Sequence, residues 1–318
     1  MRAGLTVTVG HPELVDGLGD LLAPAEADQV HLVEWDMRGP LPEGVEAAAV
    51  DVVVVPNYSG GPDVMRRLHD LPNLRVVQLP SAGYEHAVPY LPAGVVLCNG
   101  RGVHDSGTAE LAMALTLASQ RGVDDAVRAM AGGRWEPTLR SSLADRRVMV
   151  LGHGSIGSAI TRRLEAFEAV VVPVATTARD EDGRHVHGVD EISALLPDVD
   201  VVIVVLPLTA STERLVDAGF LARMRDGALL VNVGRGKVVD TDALVAELTT
   251  GRLRAALDVT DPEPLPPGHP LWAAPGVLIT PHLGGYTDAT TPRLLALLHR
   301  QVVALLADQE PANVVSRT

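Results

Sequence analysis

Residues 148–157 read VMVLGHGSIG, a short apolar run that passes directly into Gly152-His153-Gly154-Ser155-Ile156-Gly157 and then into a helix-like stretch, Gly157–Phe167. This order constrains the fold more than any other feature of the chain. A strand that feeds a tight glycine turn and then a helix is the opening of a βαβ unit, and such units build parallel sheets with helices on their faces. The spacing is G-x-G-x-x-G. Gly152 permits the tight turn, Gly154 lets the backbone approach a pyrophosphate, and Gly157 lets helix and strand pack closely. The free N–H groups and partial positive charge of the helix N-terminus then face the phosphates. The alternative is a glycine turn that serves packing alone.

The rest of the chain repeats the theme. Val-rich runs bounded by polar or Gly/Pro breaks occur at Leu5–Val9, Val50–Val55, Leu74–Leu79, Val95–Cys98, Val170–Val174, Val201–Leu206, Leu229–Val233, Ala255–Leu257 and Val277–Thr280. Continuous apolar runs of this length suit parallel strands buried on both faces. Helix-like stretches lie between many of them, including Val64–His69, Glu213–Arg223 and Asp242–Thr249. A longer helical stretch, Ser106–Met130, breaks the rhythm and precedes a loop with Gly132, Gly133, Trp135 and Pro137. A second domain is therefore expected to begin near that stretch. The tail, Pro292–Ala307, reads as a buried helix.

Composition narrows the function classes. The net charge is −14 and aromatic residues make up only 3%. Nucleic-acid binding draws its affinity from Lys and Arg at phosphates and from aromatic stacking on bases, so a nucleic-acid partner is not expected. An anionic membrane surface is disfavoured for the same electrostatic reason. No run approaches the ~18 apolar residues of a membrane span, and the first residues lack the pattern of a cleaved leader. Cys98 is the single cysteine, which fits a reducing, cytoplasmic setting. No metal site is expected.

The strand Val170–Val174 ends in Ala175-Thr176-Thr177-Ala178-Arg179. An acidic residue at this point would bind the adenosine ribose of NAD. Two hydroxyls and a guanidinium stand there instead, and they suit a 2′-phosphate. NADP(H) is thus favoured over NAD(H). Asp180 and Glu181 follow Arg179 and could neutralise it, leaving it a solvated loop residue.

Three later strands end in polar groups: Arg235 after Leu229–Val233, Glu263 after Ala255–Leu257, and His282 after Val277–Thr280. In an open parallel sheet, ligands bind at the carboxyl ends of the strands. Arg recognises a carboxylate through two parallel hydrogen bonds. His donates or accepts a proton near neutral pH, and a neighbouring carboxylate orients it and favours its charged form. Each residue alone also has a structural reading: a packing arginine, a solvent-facing loop carboxylate, a histidine that satisfies a backbone group. Together, behind a dinucleotide fingerprint, they point to hydride transfer between a nicotinamide cofactor and C2 of a 2-oxo or 2-hydroxy acid.

The runs NVGRGKVVDTDAL, LDVTDPEPLPPGHPLW and ITPHLGGYT, with GHGSIG, VVLPLTAST and QLPSAGYEHA, resemble the D-isomer-specific 2-hydroxyacid dehydrogenase family, in order and over nearly the whole chain. Within the family, the chain resembles the glyoxylate/hydroxypyruvate reductase-like members. The resemblance implies an α/β protein of two Rossmann-like domains with parallel sheets and an active site in the cleft between them. The substrate domain would be discontinuous, residues 1–100 with 285–318, around a dinucleotide-binding domain at 101–284. Catalysis would fall to Arg235, Glu263 and His282. The amides of Ser81, Ala82 and Gly83 would join Arg235 at the substrate carboxylate. Asp258 would contact the nicotinamide carboxamide. Thr108, Ser155, Ile156, Leu206, Pro207, Thr212, Val233, Gly234, His282 and Gly284 would line the cofactor. Ala175 departs from the Asp usual in NAD-preferring members.

The same resemblance implies a homodimer through the cofactor domains, for which the apolar first part of Ser106–Met130 and Trp135 are the candidates. Asn57, Tyr84 and Tyr286 are candidates for lining the substrate pocket. Rival readings are a cofactor-sensing corepressor and a phosphite-type dehydrogenase. Formate-oxidising relatives carry Gln where this chain has Glu263. Enzymes specific for 3-phosphoglycerate more often carry a further regulatory domain than a chain that stops near Thr318.

Overall fold

A computed structural model describes residues 4–56, 61–181 and 183–318. Its strands, in chain order, are β1 Leu5–Val9, β2 Val30–Glu34, β3 Val52–Val54, β4 Val76–Gln78, β5 Val96–Cys98, β6 Arg147–Leu151, β7 Val170–Val174, β8 Arg179–Glu181, β9 Arg184–Val186, β10 Val201–Val204, β11 Leu229–Asn232, β12 Arg254–Leu257, β13 Val277–Ile279 and β14 Val314–Arg317. The chain divides into two compact α/β units, Met1–His104 with Asp288–Thr318, and Asp105–Thr287.

The first unit holds a six-stranded sheet in the order β14-β5-β4-β3-β1-β2. All its pairings are parallel except that of β14 with β5. One face packs on helices Pro12–Leu21 and Thr290–Leu306 through residues such as Leu18, Leu294, Leu298 and Val302. The other face buries Trp35, Met65, Leu68 and Leu79. A polar pair crosses the interior: buried Gln301 donates to the buried Gln78 side chain and to the carbonyl of Ala312. Helix Thr290–Leu306 is thereby joined to β4 by hydrogen bonds as well as by apolar contact.

The second unit holds a fully parallel six-stranded sheet, β13-β12-β11-β10-β6-β7. Its central strands are buried on both faces, as the Val-rich runs require. The order reverses between β6 and β10, and a crevice outside the carboxyl ends of the strands forms at such a switch point. The helix after β6, Ser155–Ala166, packs with helix Asp105–Arg121 over one face, through Ala109, Ala112, Ile160 and Leu164. Leu196, Phe220, Leu221 and Leu248 cover the other.

The structure departs from the sequence expectations in three places. The long helix Ser106–Met130 is two helices, Asp105–Arg121 and Val123–Ala131, separated by Gly122. Gly122 takes a left-handed φ of 62°, which only glycine adopts at little cost. The helix expected over Glu213–Arg223 begins only at Ala218, where the Asp217 side chain accepts the Phe220 amide and caps it. Residues before it turn on the Thr209 and Thr212 hydroxyls. Strands β2 and β14 and the short pair β8–β9 carry too little apolar pattern to read from the sequence alone.

Candidate active site

The glycine turn sits at the switch point. An added Cβ on Gly157 would lie 1.9 Å from the Gly152 carbonyl oxygen, and one on Gly152 would lie 2.9 Å from the Val205 oxygen. A Cβ on Gly154 meets nothing within 4 Å. Two of the three glycines therefore hold strand, helix and the end of β10 together, while the third faces open space. That space is an open pocket of about 430 Å³ lined by Gly152, His153, Gly154, Ala175, Thr176, Thr177, Arg179, Leu206 and Pro207. His153 Nδ1 is buried there without a partner among the described residues. The donor set fits a dinucleotide: a helix N-terminus opening with Ser155 and Ile156, an unpaired imidazole nitrogen, two hydroxyls and a guanidinium.

Arg179 stands in β8, not in a free loop. Glu181 grips its guanidinium at 2.6 and 2.8 Å, and a weaker contact reaches the His153 carbonyl at 3.4 Å. Asp180 faces His185 instead. Thr212 is separate from the pocket lining. Its hydroxyl donates to the Pro207 carbonyl at 2.6 Å and accepts from the Thr209 amide, so it shapes the turn that presents Leu206 and Pro207.

The polar residues after β11, β12 and β13 form a second cluster in the same unit. Asn232, buried at the end of β11, accepts the Gly234 amide and donates to the Arg235 carbonyl. Its side chain closes the turn that carries Val233, Gly234 and Arg235, a role the sequence reading missed. The signal was present: a polar residue terminates an otherwise apolar strand. The Arg235 guanidinium returns to the Gly234 carbonyl at 2.8 Å. Gly236 follows, and a Cβ there would lie 1.9 Å from the Thr260 oxygen. This close approach brings the Arg235 turn against the loop that carries Glu263.

Asp258, at the end of β12, is buried and organises the loop after β13. Its Oδ1 accepts from the Thr280 hydroxyl at 2.6 Å and the Leu283 amide at 2.7 Å, and its Oδ2 accepts from the Gly284 amide at 2.9 Å. Its carbonyl accepts the His282 amide. A Cβ added to Gly284 would fall 3.2 Å from both Asp258 Oδ2 and Thr108 Oγ1, so Thr108, Asp258 and Gly284 converge on one spot. Asp258 was expected as a carboxamide ligand; the structure also makes it the fastening of the histidine loop.

His282 has a left-handed φ of 54°, unusual for a non-glycine residue. Such backbone costs on the order of 1–2 kcal/mol, and the hydrogen bonds to Asp258 hold it. The imidazole Nδ1 meets Glu263 Oε1 at 2.6 Å, with the side chains 46% and 41% exposed, so the pair is accessible. The Glu263 carboxylate, by accepting this hydrogen bond, holds the His282 pKa above the ordinary imidazole value, against partial burial and the nearby Arg235 charge. The same bond from His282 holds Glu263 below the usual carboxylate range. Nδ1–H is committed to Glu263, which leaves Nε2 as the working nitrogen.

In the other unit, the loop Ser81-Ala82-Gly83 is held by its carbonyls. The Gly100 amide donates to Ser81, the Asn99 side chain to Ala82, and the Ser81 hydroxyl to Gly83. The Ala82 and Gly83 amides meet no acceptor among the described residues. Tyr84 packs partly into its own unit's core, Tyr286 is 71% exposed, and Asn57 lies outside the described residues.

A glycine cradle at a sheet switch point and a His–Glu pair with Arg on the same sheet edge define a nicotinamide-dependent oxidoreductase. The model of the D-isomer specific 2-hydroxyacid dehydrogenase NAD binding domain matches residues 113–284. The glyoxylate/hydroxypyruvate reductase B of Pectobacterium atrosepticum is 34% identical over 81% of this chain and 84% of its own length. The chain belongs to the D-isomer-specific 2-hydroxyacid dehydrogenase family. Among solved structures, a family member from Xanthobacter autotrophicus in complex with NADPH and MES is 28% identical, with a TM-score of 0.81 over 99% of this chain and 98% of that one. An NADPH-dependent glyoxylate/hydroxypyruvate reductase from Sinorhizobium meliloti, in complex with NADP and malonate, is 27% identical, with a TM-score of 0.76 over 99% and 97%.

Proposed function

We propose that this protein is an NADPH-preferring reductase of small 2-oxo acids, glyoxylate and hydroxypyruvate in kind, yielding the D-2-hydroxy acid. The observation that carries the reading is the 2.6 Å bond between His282 Nδ1 and Glu263, beside the Arg235 turn. The unit Asp105–Thr287 is the cofactor-binding domain in this reading and the discontinuous unit the substrate domain. Relatives that reduce glyoxylate and hydroxypyruvate support the substrate class. Neighbours holding NADPH or NADP support the cofactor, together with the absence of an acid at Ala175.

When bound, the cofactor supplies the hydride that reduces C2. The chain supplies the rest. Gly154, Ser155 and Ile156 present amides to the pyrophosphate, and Thr176, Thr177 and Arg179 meet the 2′-phosphate. Leu206, Pro207, Val233 and Gly234 wall the cofactor's ring side, and Thr108, Asp258 and Gly284 offer the polar ends for its carboxamide. Arg235 clamps the substrate carboxylate. Glu263 fixes the His282 tautomer and favours its protonated form. His282 Nε2–H then polarises the C2 oxygen and gives it the proton as the alkoxide charge develops.

The proposed dimer surface keeps Trp135 from the sequence expectation and replaces the apolar first part of Ser106–Met130. Ala109, Ala112, Met113 and Leu115 in the first part of helix Asp105–Arg121 are buried within their own unit and have no face to offer. Val123, Val127 and Met130 on the following helix are 50%, 54% and 71% exposed on one face, and Trp135 and Leu139 are almost fully exposed. These are the residues a second copy would cover.

The test is a panel of 2-oxo acids with NADPH and NADH in parallel, on the wild type and His282→Ala. Turnover of glyoxylate or hydroxypyruvate with NADPH, cut at least ~10²-fold in the variant, is expected. Near-full reductase activity in His282→Ala would remove the proton-donor role.

A further inference from the structure

Outside the catalytic edge, the antiparallel hairpin β8–β9 gathers a second set of titratable groups. Register pairs Asp180 with His185 and Arg179 with Val186. His187 follows β9 and ties the hairpin to β7, its amide donating to the Pro173 carbonyl and its carbonyl accepting from the Ala175 amide. Glu191 closes the next turn. The Gly188 amide donates to its Oε1 at 2.8 Å, which directs Oε2 to His187 Nδ1 at 2.7 Å. His185 Nε2 lies 3.9 Å from Glu191 Oε1, and the two imidazole rings stand edge to face, 4.7 Å between centroids. One ligand atom from each of His185, His187 and Glu191 falls within 4.8 Å of the other two.

We propose that His185, His187 and Glu191 form a binding site for a divalent transition ion of the zinc type. The donor set is two imidazole nitrogens and one carboxylate oxygen, which suits zinc and its neighbours over calcium or magnesium. A tetrahedral ion with bonds of about 2.0–2.1 Å needs ligand atoms roughly 3.3 Å apart. The Glu191 carboxylate reaches both rings, Oε2 at 2.7 Å from His187 Nδ1 and Oε1 at 3.9 Å from His185 Nε2, and the three ligand atoms lie within 4.8 Å of one another. Closure takes rotamer adjustments of side chains that are only partly buried.

A further contact marks the arrangement as ligand-like. His185 Nδ1 bonds Asp180 Oδ1 at 2.9 Å. A metal-binding histidine characteristically gives its other ring N–H to a carboxylate, which fixes the tautomer and raises ligand basicity. Here that bond leaves the Nε2 lone pair of His185 turned toward Glu191. On binding, Nε2 of His185, Nδ1 of His187 and a Glu191 carboxylate oxygen coordinate the ion, neutral His187 changes tautomer so that its proton moves from Nδ1 to Nε2 by exchange with water, and water fills the fourth position. Two carboxylates facing two neutral imidazoles carry two negative charges, which a dication balances. The sequence H-x-H-x₃-E gave the spacing, but only the hairpin brings Asp180 opposite His185.

The full chain, freed of metal by chelator, is titrated with Zn²⁺ against a chromophoric chelator, and with Co²⁺ followed by its visible spectrum. One equivalent of Zn²⁺ and a tetrahedral Co²⁺ spectrum are expected. His185→Ala and Glu191→Gln are expected to lose at least 100-fold in affinity, and Asp180→Asn about 10–100-fold, the range for loss of a carboxylate behind a ligand. Glu191→Gln can still accept the Gly188 amide, and unchanged thermal midpoints check that all variants fold. Failure of the wild type to take up one equivalent, or equal affinity in His185→Ala and Glu191→Gln, overturns the site. Unchanged affinity in Asp180→Asn overturns the orienting role of Asp180.

Discussion

Gly236→Ala separates positioning from chemistry, because residue 236 touches neither substrate nor cofactor in the proposed mechanism. A Cβ there would lie 1.9 Å from the Thr260 oxygen and 2.1 Å from its carbonyl carbon. Cβ atoms essentially never approach backbone within 3.0 Å, so the two loops must part by 3.0 − 1.9 = 1.1 Å at least. One loop carries Arg235 and the other Glu263, which orients His282. A misplacement of about 1 Å costs on the order of 10²-fold in rate. The overpacking itself costs about 1–3 kcal/mol of stability. The expected variant folds with a thermal midpoint lowered by a few degrees. It still binds NADPH, because the glycine cradle for the phosphates lies elsewhere on the sheet, and loses about 10²-fold in kcat/KM for glyoxylate. Cofactor fluorescence, thermal denaturation and steady-state reduction measure the three quantities. Wild-type kcat/KM with an unchanged thermal midpoint would refute the claim that this close approach sets the geometry of the triad.

The His282 pKa is raised, by its bond to Glu263 first, so reduction, which needs protonated His282, persists below the ordinary imidazole range and is lost as pH rises through the raised value. Oxidation shows the opposite limb, and Glu263→Gln is expected to move both toward lower pH in a kcat/KM profile; a stationary limb assigns the titration to another group. Arg179→Ala should weaken NADPH use about tenfold and leave NADH nearly unchanged, since a charge-assisted bond is worth about 1.5–3 kcal/mol and Glu181 already screens this one; equal losses with both cofactors would refute the 2′-phosphate role. Asp258→Ala leaves the Thr280 hydroxyl and the Leu283 and Gly284 amides without their acceptor. At about 1–3 kcal/mol for each buried group unpaired, a stability loss of at least ~3 kcal/mol is expected in denaturant titration, and a loss under 1 kcal/mol would show that Asp258 does not fasten the loop.

The sequence by itself determined the fold class and picked out the polar residues that gather at one sheet edge. Val-rich runs such as Val201–Val204 are apolar on both faces, and only a sheet covered on both sides accommodates them. The glycine spacing stated where a dinucleotide fits, because each glycine answers a local steric demand. Arg235, Glu263 and His282 were legible because each follows a strand, and strand ends share an edge. What separated strands contribute to one another was not legible. The close approach of residue 236 to Thr260 and the three donors to Asp258 depend on chain segments far apart in sequence. The break at Gly122, the burial of Ala109, Ala112, Met113 and Leu115 and the Asp180–His185 pairing were likewise settled by packing. Periodicity reports what a residue is and where its element begins, whereas the partner across a sheet edge or a hairpin is fixed only when the elements assemble.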